Sequence, residues 1–167
     1  MARKKKLQKN MSNNHFELKS VIPLTNNQQK TFDAYSAGFN LMLHGFAGTG
    51  KTYISLYLAL RQILQENKPG IKYDKIMIIR SVVPSRDMGF LPGNIKEKTR
   101  IFEEPYKEIC DELFARGDGY DILKTKKLVD FTTTSYLRGM TFNNTIVIVD
   151  ETANMSFQEL DTVMTRI

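Results

Sequence analysis

Eight consecutive residues, Gly45-Phe46-Ala47-Gly48-Thr49-Gly50-Lys51-Thr52, have the types and spacing of a phosphate-binding loop: glycine, four residues, glycine, lysine, then a hydroxyl side chain. Glycines at 45, 48 and 50 let the backbone curl with its N–H groups inward, and a helix starting near Lys51 would aim its positive dipole end at the same point. Lys51 is expected to reach the β and γ phosphates, and the Thr52 hydroxyl to ligate magnesium. The competing reading is a glycine-rich turn that caps a strand. Such a turn would not need apolar Leu41-Met42-Leu43 before it and the helix-like run Tyr53–Leu60 after it, which is the context a phosphate loop requires.

A second chemical cluster is Asp150-Glu151, directly after the β-branched run Thr145-Ile146-Val147-Ile148-Val149. A carboxylate pair at the mouth of a buried strand is what a phosphate loop needs opposite it. Asp150 can hold magnesium through its water shell, and Glu151 can orient or polarise the attacking water. Lys51 and Glu151 are therefore the expected catalytic residues, Thr52 and Asp150 the metal-holding ones. Nothing reads guanine: Asn67-Lys68-Pro69-Gly70 begins like the Asn-Lys-x-Asp signature but lacks the aspartate and comes too soon after the loop. Adenine is the default, so ATP with magnesium is the expected ligand.

These residues need a scaffold. Thr25 reads as an N-cap with Gln28 completing a capping box, opening a helix that Gly38 ends. Strands are expected at Leu41–Leu43, Ile76–Ile79, Leu128–Thr133 and Thr145–Val149. The all-apolar Ile76-Met77-Ile78-Ile79 has the pattern of a strand buried on both faces. Between them, Val82–Gly93 reads as an ordered functional loop. Ile95 to about Arg116 has apolar residues at helical spacing with Pro105 as a break, closed by Gly117 and Gly119. Ser156 and Glu159 form a second capping box, opening a helix with Phe157, Leu160, Val163, Met164 and Ile167 on one face. Alternating elements of this kind predict an α/β fold with a mostly parallel sheet flanked by helices, its ligand beyond the carboxyl ends of the strands.

The chain has 167 residues, 41% hydrophobic and 25% charged, which fits one domain with a full core. No apolar run approaches a membrane span and the basic start has no apolar stretch after it, so a cytoplasmic protein without a membrane partner is expected. Of the net charge of +6, most lies in residues 1–20, where Arg3, Lys4, Lys5, Lys6, Lys9 and Lys19 face only Glu17. This stretch reads as a basic arm able to attract nucleic acid in a salt-sensitive way, or as a solvated tail; residues 21–167 then form the ATPase domain. Cys110, the only cysteine, sits among apolar neighbours as a core residue, and with His15 and His44 it makes no zinc set.

Residues 22–167 resemble PhoH-like proteins, a RecA-like P-loop ATPase family related to superfamily 1 helicases. The resemblance rests on the Gln28 region, Gly45–Thr52 (Walker A), Arg80 followed by Gly89-Phe90-Leu91-Pro92-Gly93, and Leu137-Arg138-Gly139-x-Thr141-Phe142. It extends through Ile146–Glu151 (Walker B) to Asn154 and Leu160-Asp161-x-Val163-Met164-Thr165-Arg166. It implies ATP hydrolysis linked to RNA or single-stranded DNA metabolism, Gln28 as the adenine-reading residue, and Arg80 and Thr132–Ser135 at strand ends that touch nucleic acid in helicases; solvent-exposed strand ends are the plainer alternative. Ala153 stands where the family has glutamine, which bears on coupling. Similar proteins continue past the position of Ile167 to a further strand and an arginine finger, worth ~10³–10⁵ in turnover. The resemblance therefore implies a C-terminally incomplete fold with slow turnover, completed by a ring of copies or a partner subunit. A nucleotide-binding regulatory module is the alternative, and a small-molecule kinase ranks last for want of an acceptor or lid signature.

Overall fold

The computed structural model describes residues 16–65, 73–81, 95–137 and 139–167. The arm up to residue 15, Asn67–Gly70, the loop Val82–Gly93 and Arg138 lie outside the described residues.

The order of elements is α1 (Asn26–Ser36), α2 (Lys51–Gln65), β1 (Lys75–Arg80), α3 (Ile95–Leu113), α4 (Gly119–Thr125), β2 (Val129–Thr133), β3 (Thr145–Asp150) and α5 (Phe157–Met164). The strands form a parallel sheet in the order β2-β1-β3, the expected α/β architecture. Side chains alternate across it. Ile76, Ile78, Val129, Ile146 and Ile148 face a core built with α1 to α4, while Met77, Ile79, Val147 and Val149 pack on the other face with Leu137 and Val163 of α5. Because β1 is central, all of Ile76–Ile79 is buried, as its unbroken apolar run predicts. Burying each such side chain contributes about 1.5–3 kcal/mol. In α2, Leu56–Leu60 is buried throughout, which fixes the helix that the loop feeds.

Several local expectations hold with adjustments. Thr25 caps α1 by accepting from Gln28 N–H, but the Gln28 Oε1 accepts from Leu24 N–H at 2.7 Å instead of the Thr25 N–H, so the box is not reciprocal. At Ser156 and Glu159 it is. Helix α3 runs through Pro105, and Tyr106, Cys110 and Leu113 anchor the part that follows the lost N–H bond to the core.

Two expectations are corrected and one helix is added. Leu41–Leu43 has no regular secondary structure, with Leu41 and Leu43 half-buried and Met42 96% exposed, and it joins no ladder: among the described residues no strand pairs with it. Helix α4, absent from the sequence reading, forms because Tyr120 and Leu123 bury against the core after the glycine turn. Residues 16–20, assigned to the arm, belong to the folded body: Phe16 stacks on Phe114 at 4.1 Å, Leu18 is buried, and Lys19 N–H donates to the Leu113 carbonyl. Further along, the α5 face bearing Phe157, Leu160 and Met164 is largely exposed, with only Val163 of that helix buried.

Candidate nucleotide site

The loop between Leu43 and α2 turns through Gly48 (φ +74°) and Gly50 (φ +82°), a left-handed backbone that glycine adopts without strain. Thr49 Oγ1 donates to the Phe46 carbonyl at 2.8 Å, tightening the curl. Lys51, first residue of α2, folds its ammonium back over the loop and donates to the carbonyls of Gly45 (2.9 Å) and Phe46 (2.8 Å). The cation is thus held above the N-terminal end of a 15-residue helix, where backbone N–H groups have no intrahelical acceptor. Gln28 borders the loop from α1, its Nε2 lying 3.4 Å from the Thr49 carbonyl. Phe46, 90% exposed, and Ala47 lie on the open side.

Across the sheet, β3 delivers Asp150 at its carboxyl end. The Thr52 hydroxyl donates to Asp150 Oδ2 at 3.2 Å, joining the loop to the acidic pair. The same oxygen accepts from the Tyr106 phenol at 2.9 Å, and Oδ1 accepts from the Glu151 N–H at 3.0 Å. Burial, and next the negative charge of Asp150, push the Tyr106 phenol well above its ordinary value, so it stays a protonated donor. Glu151 has a left-handed backbone (φ +54°), which turns the chain sharply out of the strand. Its carboxylate lies 4.0 Å from Arg80 Nη2 and 3.5 Å from Asn154 Nδ2.

Arg80 is level with Asp150 in the β1–β3 register and with Thr133 in β1–β2. It turns inward, donating to the Phe102 carbonyl at 3.2 Å, with its guanidinium 5.9 Å from the centre of the Tyr106 ring. Thr132, Thr133 and Thr134 are buried, and Thr134 donates to Glu159 at 2.5 Å; only Ser135 of that stretch is exposed. These strand ends are packed inside the body.

The structure therefore brings Gly45–Thr52, Gln28, Asp150 and Glu151 to one edge of the sheet. Sequence reasoning did not single out Tyr106, which falls within the segment of helical apolar spacing from Ile95 to about Arg116. The available signal was a tyrosine on a buried face, whose hydroxyl needs a partner. Among the described residues no group of three or more His, Cys, Asp or Glu side chains could hold a metal by itself. The donor set fits magnesium in another way: a hydroxyl and a carboxylate oxygen side by side are hard ligands of the kind that bind it together with substrate phosphates.

The family described as PhoH-like protein matches residues 20–167. A PhoH-like protein of Mycobacterium leprae is 29% identical over 153 residues, covering 89% of this chain and 41% of the relative. Protein PhoH2 of Bacillus subtilis is 33% identical over 129 residues (75% of this chain, 28% of the relative), and protein PhoH of Escherichia coli is 33% identical over 125 (74% and 34%). The chain spans less than half the length of these relatives. With the family match covering nearly the whole of the described body, the chain belongs to the PhoH-like protein family.

Proposed function

We propose that this chain binds ATP with magnesium between Gly45–Thr52 and Asp150-Glu151 and hydrolyses it, in a process acting on RNA or single-stranded DNA. The observation that carries the reading is the 3.2 Å contact between Thr52 and Asp150, which sets a phosphate loop against a carboxylate pair. In the proposed roles, Lys51 neutralises the β and γ phosphates, the loop N–H groups cradle them, and Gln28 reads adenine. Thr52 and Asp150 hold magnesium, which would offset the charge developing on the phosphates, and Glu151 orients the attacking water. The nucleic-acid link is what the resemblance to helicase-related ATPases implies, and the cations Arg3, Lys4, Lys5, Lys6 and Lys9 would serve it. An arginine from a second copy or a partner subunit would add to the charge stabilisation at the phosphates.

A regulatory module that binds ATP with little turnover is the second reading. It is favoured by the Glu151 carboxylate, whose two oxygens lie near Arg80 and Asn154, and by Ala153 in the adjoining turn. ATP binding and turnover, measured with and without single-stranded RNA and DNA over a range of protein concentration, separate the two. Turnover that rises with concentration or nucleic acid supports the first, and binding without turnover under every condition supports the second. Absence of ATP binding overturns both.

A further inference from the structure

Tyr106 is fully buried on α3, where phenylalanine would fill nearly the same volume without a hydroxyl to satisfy. Its ring is held from two sides, by Phe131 of β2 at 5.6 Å between ring centres and by the Arg80 guanidinium at 5.9 Å. Arg80 is itself tied to α3 through the Phe102 carbonyl. That clamp aims the phenol at one atom, Asp150 Oδ2, at 2.9 Å.

A carboxylate offers about four lone-pair directions. Three donors approach this one: Tyr106 and Thr52 at Oδ2, and the Glu151 N–H at Oδ1. About one direction is left for a further partner, so the carboxylate's rotation is fixed before any ligand arrives. Thr52 is expected to give its own oxygen to the metal and so cannot alone hold the carboxylate in place. Tyr106 approaches from the core, where it need not move when a ligand binds.

We propose that Tyr106 is a positioning residue of the nucleotide site, holding the Asp150 carboxylate in place beside Thr52 for the magnesium shell. The proposal rests on the ATP-binding reading above. Groups that orient a metal ligand typically contribute 10- to 100-fold in metal affinity or activity.

The test uses the full chain and a fluorescent ATP analogue, titrated in EDTA and over a magnesium series, with thermal unfolding recorded for each variant. For Tyr106→Phe the magnesium concentration giving half-maximal binding should rise about tenfold, while binding in EDTA stays within about twofold of the parent. A double variant with Asp150→Asn should show no further shift from the tyrosine change, because the phenol acts through that carboxylate. If Tyr106→Phe loses its cooperative unfolding, Tyr106→Met, which refills the space with a flexible apolar chain, reads the same ratio. An unchanged magnesium midpoint, or a shift that persists undiminished in the Asp150→Asn background, overturns the proposal and leaves the ATP reading standing. A parent protein that binds no analogue with or without magnesium overturns the ATP reading, and the role of Tyr106 falls with it.

Discussion

Thr52 Oγ1 and Asp150 Oδ2 lie 3.2 Å apart although the residues are 98 positions apart in the chain. Parallel pairing of β3 with β1 fixes the height of Asp150, and the buried face of α2 fixes that of Thr52. A magnesium ion held by both would depend on each. Thr52→Ala and Asp150→Asn should each weaken magnesium-dependent nucleotide binding by at least about tenfold with little effect in EDTA, as read by calorimetric titration. Equal losses with and without magnesium would remove the metal role from these residues.

Lys51 and Glu151 should separate binding from chemistry. Lys51→Ala is expected to lose ATP binding, whereas Glu151→Gln should bind ATP and turn it over at least about 10²-fold more slowly. Single-turnover hydrolysis checks this, and a Glu151→Gln rate equal to the parent's would show that the water is oriented by some other group.

Five cations lie between Arg3 and Lys9, whereas Phe16 and Leu18 pack into the core. A truncation beginning at His15 therefore spares the body that one beginning at Val21 would damage. On single-stranded nucleic acid it should reduce the slope of log affinity against log salt by up to about 3 to 4. An unaltered slope in filter binding would make the arm a bystander.

The Glu159 carboxylate accepts from Thr134 first and from Ser156 next, and these bonds hold its pKa below the ordinary carboxylate value. The unfolded chain then binds more protons. This contribution is complete above the unfolded value near 4.5 and is lost as pH falls through the lower folded value. Urea midpoints between about pH 3 and 6 should fall less steeply on acidification in Glu159→Gln than in the parent. Ser156→Ala, which removes the helix cap, should cost about 1 kcal/mol at neutral pH.

Burial pushes the Cys110 thiol up to about 12, with the neighbouring Asp111 charge adding to it. Iodoacetamide at pH 8 should therefore label the folded protein far more slowly than the urea-unfolded chain, read by intact mass. Equal rates would place the thiol at the surface.

What the sequence determined by itself is what local chemistry dictates. Glycine spacing with lysine and threonine specified the loop, an unbroken β-branched run ending in two acids specified β3, and Ser156 with Glu159 specified the start of α5. Each is a property of neighbours along the chain, so it can be read without knowing what lies across the sheet. Tertiary structure decided the rest. Leu41–Leu43 has strand-like composition but no ladder, since a strand exists only with a hydrogen-bonding neighbour. Helix α4 has too few residues to hold by propensity and forms because Tyr120 and Leu123 bury. Arg80 and Tyr106 look like a strand-end cation and a core aromatic in sequence; only the packing of α3 over the carboxyl ends of β1 and β3 turns one toward Glu151 and the other onto Asp150. Contacts between residues tens of positions apart depend on strand order and helix placement, which local patterning does not encode.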